Sequence, residues 1–197
     1  MKPALFPVFL KLAGRACLVV GAGSIAESKI ASLLDSGAQV TVVAPAATGE
    51  IQRLAASRRI RWIPRKFALA DLNRVFLVVA AASDRDVNRA AFHEAVERGI
   101  LCNSVDDPPN CDFYFPAVVR RGPLQIAIST SGESPALAQR IRREIEDSLD
   151  AAFGDWVEEI GERRHEIIAA VPSSDQRKRL LHRLAHSEPG VEQEPEP

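Results

Sequence analysis

The glycine-rich stretch at residues 16–38 constrains the fold of this chain more than any other part. A short apolar run leads into the pattern G-x-G-x-x-A at residues 21–26, and a helical pattern of apolar residues follows. In such a strand–turn–helix unit, Gly21 permits the tight turn and Gly23 lets the backbone approach a pyrophosphate. The small Ala26 lets the helix pack closely on the strand, so that its N-terminus faces the phosphates. These residues predict dinucleotide binding; the alternative is an ordinary tight turn between a strand and a helix.

Strand and helix patterns alternate along the first part of the chain. Helices are predicted after the glycine loop and at residues 49–57 and 86–98, and strands at residues 17–20, 39–43, 60–63, 75–81 and 100–103. This order is typical of an α/β, Rossmann-like, doubly wound parallel sheet, in which ligands bind beyond the carboxyl ends of the strands. That edge is expected to bring together Ser24, Pro45, Ser83 and Asn103. No Asp or Glu ends the second strand to hold a ribose, so the sequence leaves both NAD and NADP open.

After residue 112 the pattern changes. Two strand patterns, at residues 113–119 and 124–129, predict a β-hairpin, and helical patterns follow it. A lone hairpin is marginally stable in water, so we expect it to extend another sheet, most simply in a homodimer. The predicted organisation is a dinucleotide-binding Rossmann domain at residues 1–112, a small β-hairpin dimerisation region at 113–148, a C-terminal helical domain at 149–186 and a disordered, Pro/Glu-rich tail at 187–197.

Two neighbouring carboxylates, Asp106 and Asp107, follow the fifth predicted strand. They lie at the sheet edge that the nicotinamide end of a dinucleotide would reach. A carboxylate there can accept a proton as a hydride leaves the substrate, or can face a metal ion. The alternative is a turn before the prolines at residues 108–109, since aspartate is common in turns. Spacing alone does not decide between the two interpretations.

The segment at residues 129–135 combines hydroxyl side chains with a predicted helix N-terminus, which is a natural place for an anion. Ser134 is expected to cap this helix, with Pro135 in its first turn. Capping leaves Thr130 and Ser131 as candidates for binding a substrate.

Composition excludes several classes of protein. The formal charge of −1 at pH 7 gives no general affinity for nucleic acid or membranes, and no apolar run reaches the roughly 18 residues of a membrane span. Prolines interrupt the apolar N-terminal segment, which argues against a cleaved signal peptide and predicts a cytoplasmic protein. The three cysteines have no C-x-x-C pairing and the four histidines are scattered, so we predict neither a disulfide framework nor a metal site.

Five segments, taken in order, make the sequence similar to one known family. They are residues 5–10, 17–29, 102–106, 115–116 and 128–138. Across residues 4–150 the chain resembles the precorrin-2 dehydrogenase/sirohydrochlorin ferrochelatase family of sirohaem synthesis. The resemblance implies NAD-dependent oxidation of precorrin-2 to sirohydrochlorin by an intertwined homodimer whose active site lies between the Rossmann and dimerisation regions. In some family members it also implies insertion of ferrous iron, which the sequence leaves open because it shows no dedicated metal cage.

The resemblance also assigns roles to individual residues. It implies that Ser24, Ile25, Pro45 and Ala46 contact NAD, and that Asp106 is the family's essential aspartate, proposed as the general base and linked to chelation. The leading hypothesis is accordingly an NAD-dependent precorrin-2 dehydrogenase. The alternative is a dinucleotide-sensing module whose hairpin and helices bind and regulate a protein partner.

The clustered basic residues suit a substrate rich in carboxylates. Those near the hairpin and the helix after it are Arg120, Arg121, Arg140, Arg142 and Arg143. We expect Arg120 and Arg140, together with Thr130 and Ser131, to bind the substrate. The alternative for the arginines is a solvated helix face. Thr130 falls where some relatives carry a serine that can be phosphorylated, and the change to threonine leaves such regulation open.

Overall fold

Five parallel strands form one sheet in the first part of the chain, in the order β3-β2-β1-β4-β5. The strands are β1 (Ala16–Val20), β2 (Gln39–Val43), β3 (Arg61–Ile63), β4 (Leu77–Ala80) and β5 (Leu101–Ser104). Every neighbouring pair is parallel. The chain adds β2 and β3 on one side of β1 and then returns to add β4 and β5 on the other side. This is the doubly wound topology, and the predicted Rossmann-like fold class is confirmed.

Helices cover both faces of this sheet. They are α1 (Ser24–Asp35), α2 (Gly49–Ala56) and α3 (Arg85–Glu97). The strands carry apolar side chains on both faces because both faces are buried. On one face, Val19 of β1 and Ile30 of α1 belong to the same core. On the other face, Val78 of β4 and Ala95 of α3 belong to a second core.

The computed structural model describes residues 4–186 and divides into two units, with the break after Phe115. The second unit contains the antiparallel hairpin of β6 (Ala117–Arg121) and β7 (Leu124–Ile128), and then α4 (Pro135–Ser148), α5 (Phe153–Ala170) and α6 (Ser174–Ala185). Ser134 caps α4 as predicted, because its hydroxyl accepts a hydrogen bond from the N–H of Leu137 at 3.2 Å. Over residues 4–186, none of the helices has the length and apolar character needed to cross a membrane. The predicted disordered tail at residues 187–197 lies outside the described residues.

The first hairpin strand begins at Ala117, so the prediction of a strand from residue 113 was wrong. Phe113 and Phe115 instead pack on the core of the first unit, with their ring centroids 5.4 Å apart. The side chain of Asn103 donates from Nδ2 to the carbonyl oxygen of Phe113 at 2.8 Å and anchors this segment to β5. The aromatic residues therefore alternate because they anchor the loop to the core, not because they pair in a strand.

Arg121 connects the hairpin to the end of α4. Its Nη2 donates to the carbonyl oxygen of Glu146 at 2.8 Å, and its Nε donates to the carbonyl oxygen of Leu149 at 3.0 Å. Carbonyl groups at a helix C-terminus lack partners within the helix and carry the negative end of the helix dipole. The Arg121 guanidinium satisfies both needs, which gives this arginine a structural role.

Two glycines bring the hairpin turn against the start of α5. A Cβ atom on Gly154 would lie 2.8 Å from the backbone nitrogen of Gly122, a distance that real Cβ atoms do not reach. Gly122 also has a φ of +52°, in the left-handed region that favours glycine. The two backbones are therefore in direct contact, and neither position has room for a side chain.

We predict that Gly154→Ala destabilises the protein by about 1–3 kcal/mol, because the added methyl group must push the hairpin turn away from α5. Gly161→Ala is the matched control: it lies on the same helix, and a Cβ there meets nothing within 4 Å. That control should instead stabilise the helix by about 0.5–1 kcal/mol. Thermal unfolding followed by circular dichroism measures both changes, and equal stability of the two variants would contradict the close contact.

Candidate active site

The loops after β1, β2 and β4 meet at one edge of the sheet, because the carboxyl ends of parallel strands lie on the same side. Five of the residues predicted to contact a dinucleotide are exposed at this edge: Ser24, Ile25, Pro45, Ala46 and Ser83. The fold therefore brings these five positions to the same edge of the first unit. Their contact with a cofactor stays a prediction.

The first glycine of the loop is required by the packing of the turn. Gly21 has a φ of +106°, and a Cβ there would lie 2.3 Å from the carbonyl oxygen of Ala81 in the loop after β4. Its N–H donates to the carbonyl oxygen of Val43 at the end of β2, at 2.9 Å. The turn is thus held between the two strands that flank β1.

The third residue of the pattern, Gly23, has a different surrounding. It is the N-cap of α1 with an ordinary extended backbone, and no side chain caps this helix. A Cβ built on Gly23 meets nothing within 4 Å, so the space in front of the helix N-terminus is open. Free N–H groups and the positive end of the helix dipole face this space, which fits the pyrophosphate of a dinucleotide.

The loop after β2 carries no charged side chain up to the start of α2. Trp62 fixes it by donating from Nε1 to the carbonyl oxygen of Ala44 at 3.0 Å. The N–H of Thr48 donates to the carbonyl oxygen of Ala22 at 3.1 Å, which ties this loop to the glycine loop. Pro45 and Ala46 are held between these two bonds, so a ribose would meet backbone groups and small side chains instead of the usual carboxylate.

Asn88, which the sequence did not single out, holds the loop that carries Ser83. Its side chain is buried and bonds both backbone groups of Ala82: Oδ1 accepts from the N–H and Nδ2 donates to the carbonyl oxygen, each at 2.9 Å. Asp84 caps α3 by accepting from the N–H of Asp86 at 2.9 Å. The available signal for Asn88 was a polar side chain at an inward position one turn into the helix.

Asn103, predicted to contact the cofactor, is buried at the end of β5. Its Nδ2 donates to the carbonyl oxygen of Phe113 and lies 3.4 Å from the Cys111 sulfur. The side chain thus holds the loop after β5 against the sheet, and a contact between Asn103 and a cofactor stays a prediction.

The two candidate carboxylates after β5 have different surroundings. Asp107 accepts a hydrogen bond from Nδ2 of Asn110 at 2.7 Å, and its carbonyl oxygen accepts from the N–H of the same residue at 2.9 Å. Asp106 is exposed and has a φ of +58°, which is uncommon for a residue with a side chain. Within the described residues, no hydrogen bond holds the Asp106 carboxylate. Asp107 therefore builds the turn, and Asp106 is the carboxylate with oxygens free to react.

Lys29 is a residue that sequence reasoning did not assign to the site. Its Nζ lies 4.1 Å from the ring centroid of Phe115, and its side chain is half-buried. Burial lowers the pKa of Lys29, while the negative charge of Asp106 acts in the opposite direction and raises it. The available signal was a lysine one turn after Ile25, on the helix that follows the glycine loop.

The predicted substrate residues lie on the second unit. Thr130 Oγ1 accepts from the N–H of Ser134 at 3.1 Å, so part of its bonding capacity is used inside the loop. Ser131 is exposed with a φ of +53°. Arg120 is exposed on the hairpin, and Arg140 pairs with Glu144 one turn along α4 at 3.2 Å. Their contact with a substrate stays a prediction.

Metal-binding side chains do not cluster in the described part of the chain. Over residues 4–186, no group of three or more His, Cys, Asp or Glu side chains could hold a metal ion. His182 of α6 and His186, the C-cap of that helix, nevertheless have ring centroids 4.6 Å apart, so the histidines are less scattered than expected. Burial raises the pKa of Cys17 to about 11 and that of Cys102 to about 12, which keeps both thiols protonated at neutral pH.

Two family models match the chain. The model described as "Putative NAD(P)-binding" covers residues 8–117, and the model described as "Sirohaem biosynthesis protein central" covers residues 121–148. The first match contains the sheet and its edge loops. The second contains the end of β6, β7 and α4.

Similar proteins include siroheme synthases of two bacteria. A siroheme synthase of Neisseria meningitidis serogroup C (strain 053442) is 43% identical over 175 residues, which are 89% of this chain and 36% of that protein. A siroheme synthase of Thioalkalivibrio sulfidiphilus (strain HL-EbGR7) is 41% identical over 179 residues, 91% of this chain and 37% of that protein. The chain therefore spans little more than a third of the length of these relatives.

A solved structure matches over most of its own length. The chain of "SirC, precorrin-2 dehydrogenase" superposes with a TM-score of 0.79 at 33% sequence identity. The superposition covers 91% of this chain and 89% of that one. Both units of the present fold are therefore represented in that structure.

We predict that Gly23→Ala weakens NAD binding by about tenfold or more, about 1.4 kcal/mol, because the methyl group enters the space in front of the helix N-terminus. The folded protein should keep its thermal stability, since a Cβ at this position meets no protein atom within 4 Å. Calorimetric titration with NAD and thermal unfolding measure the two properties. Gly161→Ala, the same change in open space on the second unit, is the control, and NAD binding by Gly23→Ala equal to this control would contradict the prediction.

Proposed function

Because the chain belongs to the precorrin-2 dehydrogenase family of sirohaem synthesis, we propose that it oxidises precorrin-2 to sirohydrochlorin with NAD as the oxidant. The SirC structure, of which the match covers 89%, supports this proposal more directly than the siroheme synthases, which extend well beyond the matched region. The observation that carries it is the pairing of an open glycine loop with the free Asp106 carboxylate at one sheet edge.

The reaction removes one hydride and one proton from precorrin-2 and leaves NADH and a proton. When bound, NAD supplies hydride acceptance at its nicotinamide ring. Gly23 and the N-terminus of α1 would hold the pyrophosphate, and the loop of Pro45 and Ala46 would hold the ribose. Asp106 accepts the proton that leaves the macrocycle and then returns it to water.

Asp106 suits this role better than its neighbour. A general base needs a lone pair that no protein donor occupies, and it must be within reach of the substrate. The Asp107 carboxylate already accepts from Asn110, whereas Asp106 is exposed. The left-handed backbone of Asp106 is also an uncommon conformation of the kind that clusters at functional sites.

We predict that Asp106→Asn lowers the rate of sirohydrochlorin formation by about 10²–10⁴-fold, the range for loss of a general base. Calorimetric titration should show unchanged NAD binding, because the glycine loop is intact. Anaerobic incubation with precorrin-2 and NAD, followed by absorption spectroscopy, measures the rate. Asp107→Asn is the matched variant, and it should retain turnover because its carboxylate builds the turn.

Other outcomes of the same experiment are informative. Normal turnover by Asp106→Asn would remove this residue from the mechanism. No spectral change with the wild-type protein, while NAD still binds, would favour the dinucleotide-sensing module. Adding ferrous iron to the sirohydrochlorin formed, with a no-enzyme control, tests whether the chain also catalyses iron insertion, in which iron is a substrate.

We further propose that residues 113–148 form a dimerisation region and that the protein is a homodimer. Within the described residues, the sheet of β6 and β7 has two strands, and a two-stranded sheet is marginal without further pairing.

Exposed Arg120 and Arg140 are proposed to bind substrate carboxylates, together with Thr130 and Ser131. We also propose a cytoplasmic location, which the three free cysteines support because reducing compartments keep thiols unpaired.

We predict that sedimentation velocity at micromolar concentration gives twice the chain mass of 21.5 kDa. The physical reason is the two-stranded sheet of the hairpin, which would gain further strand pairing from a second chain. Sedimentation of a single-chain species under these conditions would contradict the homodimer while leaving the proposed reaction untouched.

A further inference from the structure

The ammonium group of Lys29 is held in an unusual place for a lysine. It projects from the second turn of α1, its side chain is half-buried, and its Nζ lies 4.1 Å from the ring centroid of Phe115. Taking a cation partly out of water is costly unless other groups compensate for the lost hydration. The compensating groups are the face of the Phe115 ring and the negative charge of Asp106.

The aromatic ring under Lys29 is itself fixed. Phe115 packs edge to face on Phe113, with ring centroids 5.4 Å apart and planes at 62°. The carbonyl oxygen of Phe113 accepts from Nδ2 of Asn103, which is buried in β5. Lys29 therefore has a defined partner surface that is tied to the strand preceding Asp106.

Within the described residues, Lys29 and Asp106 interact through their charges but do not form a direct ion pair. A direct ion pair would occupy the oxygen lone pairs that a proton acceptor needs. A cation nearby that donates no hydrogen bond leaves those lone pairs free.

We propose that Lys29 is a positioning residue for the dehydrogenation: its ammonium, fixed over Phe115, lies beside Asp106 as a counter-charge and leaves the carboxylate oxygens free for the substrate proton. This inference rests on the proposed function, since it assigns Lys29 a part in the proton transfer to Asp106. Nothing in the glycine-loop pattern requires a lysine at this position.

The surroundings of Lys29 set the pH dependence of this effect. Across from α1, the charged group that acts on it is Asp106, and on its own helix the residues one turn before and after it are the uncharged Ile25 and Leu33. Burial lowers the pKa of Lys29 more than Asp106 raises it, so the ammonium loses its proton at a lower pH than an exposed lysine does. The wild-type rate should therefore fall on the alkaline side.

Steady-state kinetics of three variants test the inference. Lys29→Met keeps a similar shape without the charge and should lower kcat about tenfold, equivalent to about 1.4 kcal/mol, with the KM values for NAD and precorrin-2 unchanged. Lys29→Arg should recover most of kcat and move the alkaline fall to higher pH, because a guanidinium stays charged there. Lys66→Met, at an exposed lysine of the same unit, is the matched control and should match the wild type.

A titration that needs no turnover gives a second test. NMR of labelled lysine side chains follows the protonation of Lys29 in the wild type and in Asp106→Asn. Because Asp106 raises the pKa of Lys29, the substitution should move the Lys29 titration to lower pH. This measurement stays decisive even if Lys29→Met folds poorly.

The outcomes separate this inference from the proposed function. Wild-type kcat in Lys29→Met, or a raised KM for precorrin-2 with unchanged kcat, would overturn it, the latter because Lys29 would then bind the substrate directly. An unchanged Lys29 titration in Asp106→Asn would also overturn it. If the Lys29 results overturn this inference while Asp106→Asn still loses turnover, the proposed function stands. Normal turnover in Asp106→Asn would instead contradict the proposed function itself.

Discussion

The closeness of the turn after β1 to the loop after β4 is the constraint on which the candidate site depends. A side chain at Gly21 has no room, because its Cβ would lie 2.3 Å from the Ala81 carbonyl oxygen. On the other side, the Gly21 N–H is bonded to the Val43 carbonyl oxygen. The turn is thus closed against both strands that neighbour β1. Since α1 begins directly after this turn, its open N-terminus and Lys29 take their positions from it.

The sheet could be predicted from the sequence because its strands are buried on both faces. A short, continuous apolar run such as β4 is typical of a strand in a parallel sheet. The carboxyl ends of parallel strands lie at the same edge of the sheet. This rule was enough to locate Ser24, Pro45 and Ser83 on the same side of the molecule. The same reasoning could not assign the segment at residues 113–116. Alternating aromatic residues give the same sequence pattern whether the segment forms a strand or a loop anchored to the core.

The roles of polar side chains were harder to predict, because residue type does not reveal the partner. Asp106 and Asp107 form one pattern in the sequence, and the structure distinguishes them by the hydrogen bond from Asn110 to Asp107 and by the exposure and left-handed backbone of Asp106. Asn103 was expected at the ligand because it ends a strand, yet its amide bonds the Phe113 carbonyl oxygen. Asn88 gave only the signal of a polar residue at an inward helix position, which does not reveal that its partners are the backbone groups of Ala82.

Strand β5 supports both the packing of the aromatic residues and the position of the candidate base. A proton-accepting carboxylate needs a favourable charge nearby and unoccupied lone pairs, and a direct ion pair would supply the first at the expense of the second. Placing the Lys29 cation over an aromatic ring avoids this conflict, because the ring holds the ammonium without help from the carboxylate. That ring is held through Phe113 by Asn103, so β5 anchors the cation and also leads into Asp106. Asp106 and the ring that supports the neighbouring charge therefore both take their positions from β5, while the ammonium reaches the ring from α1.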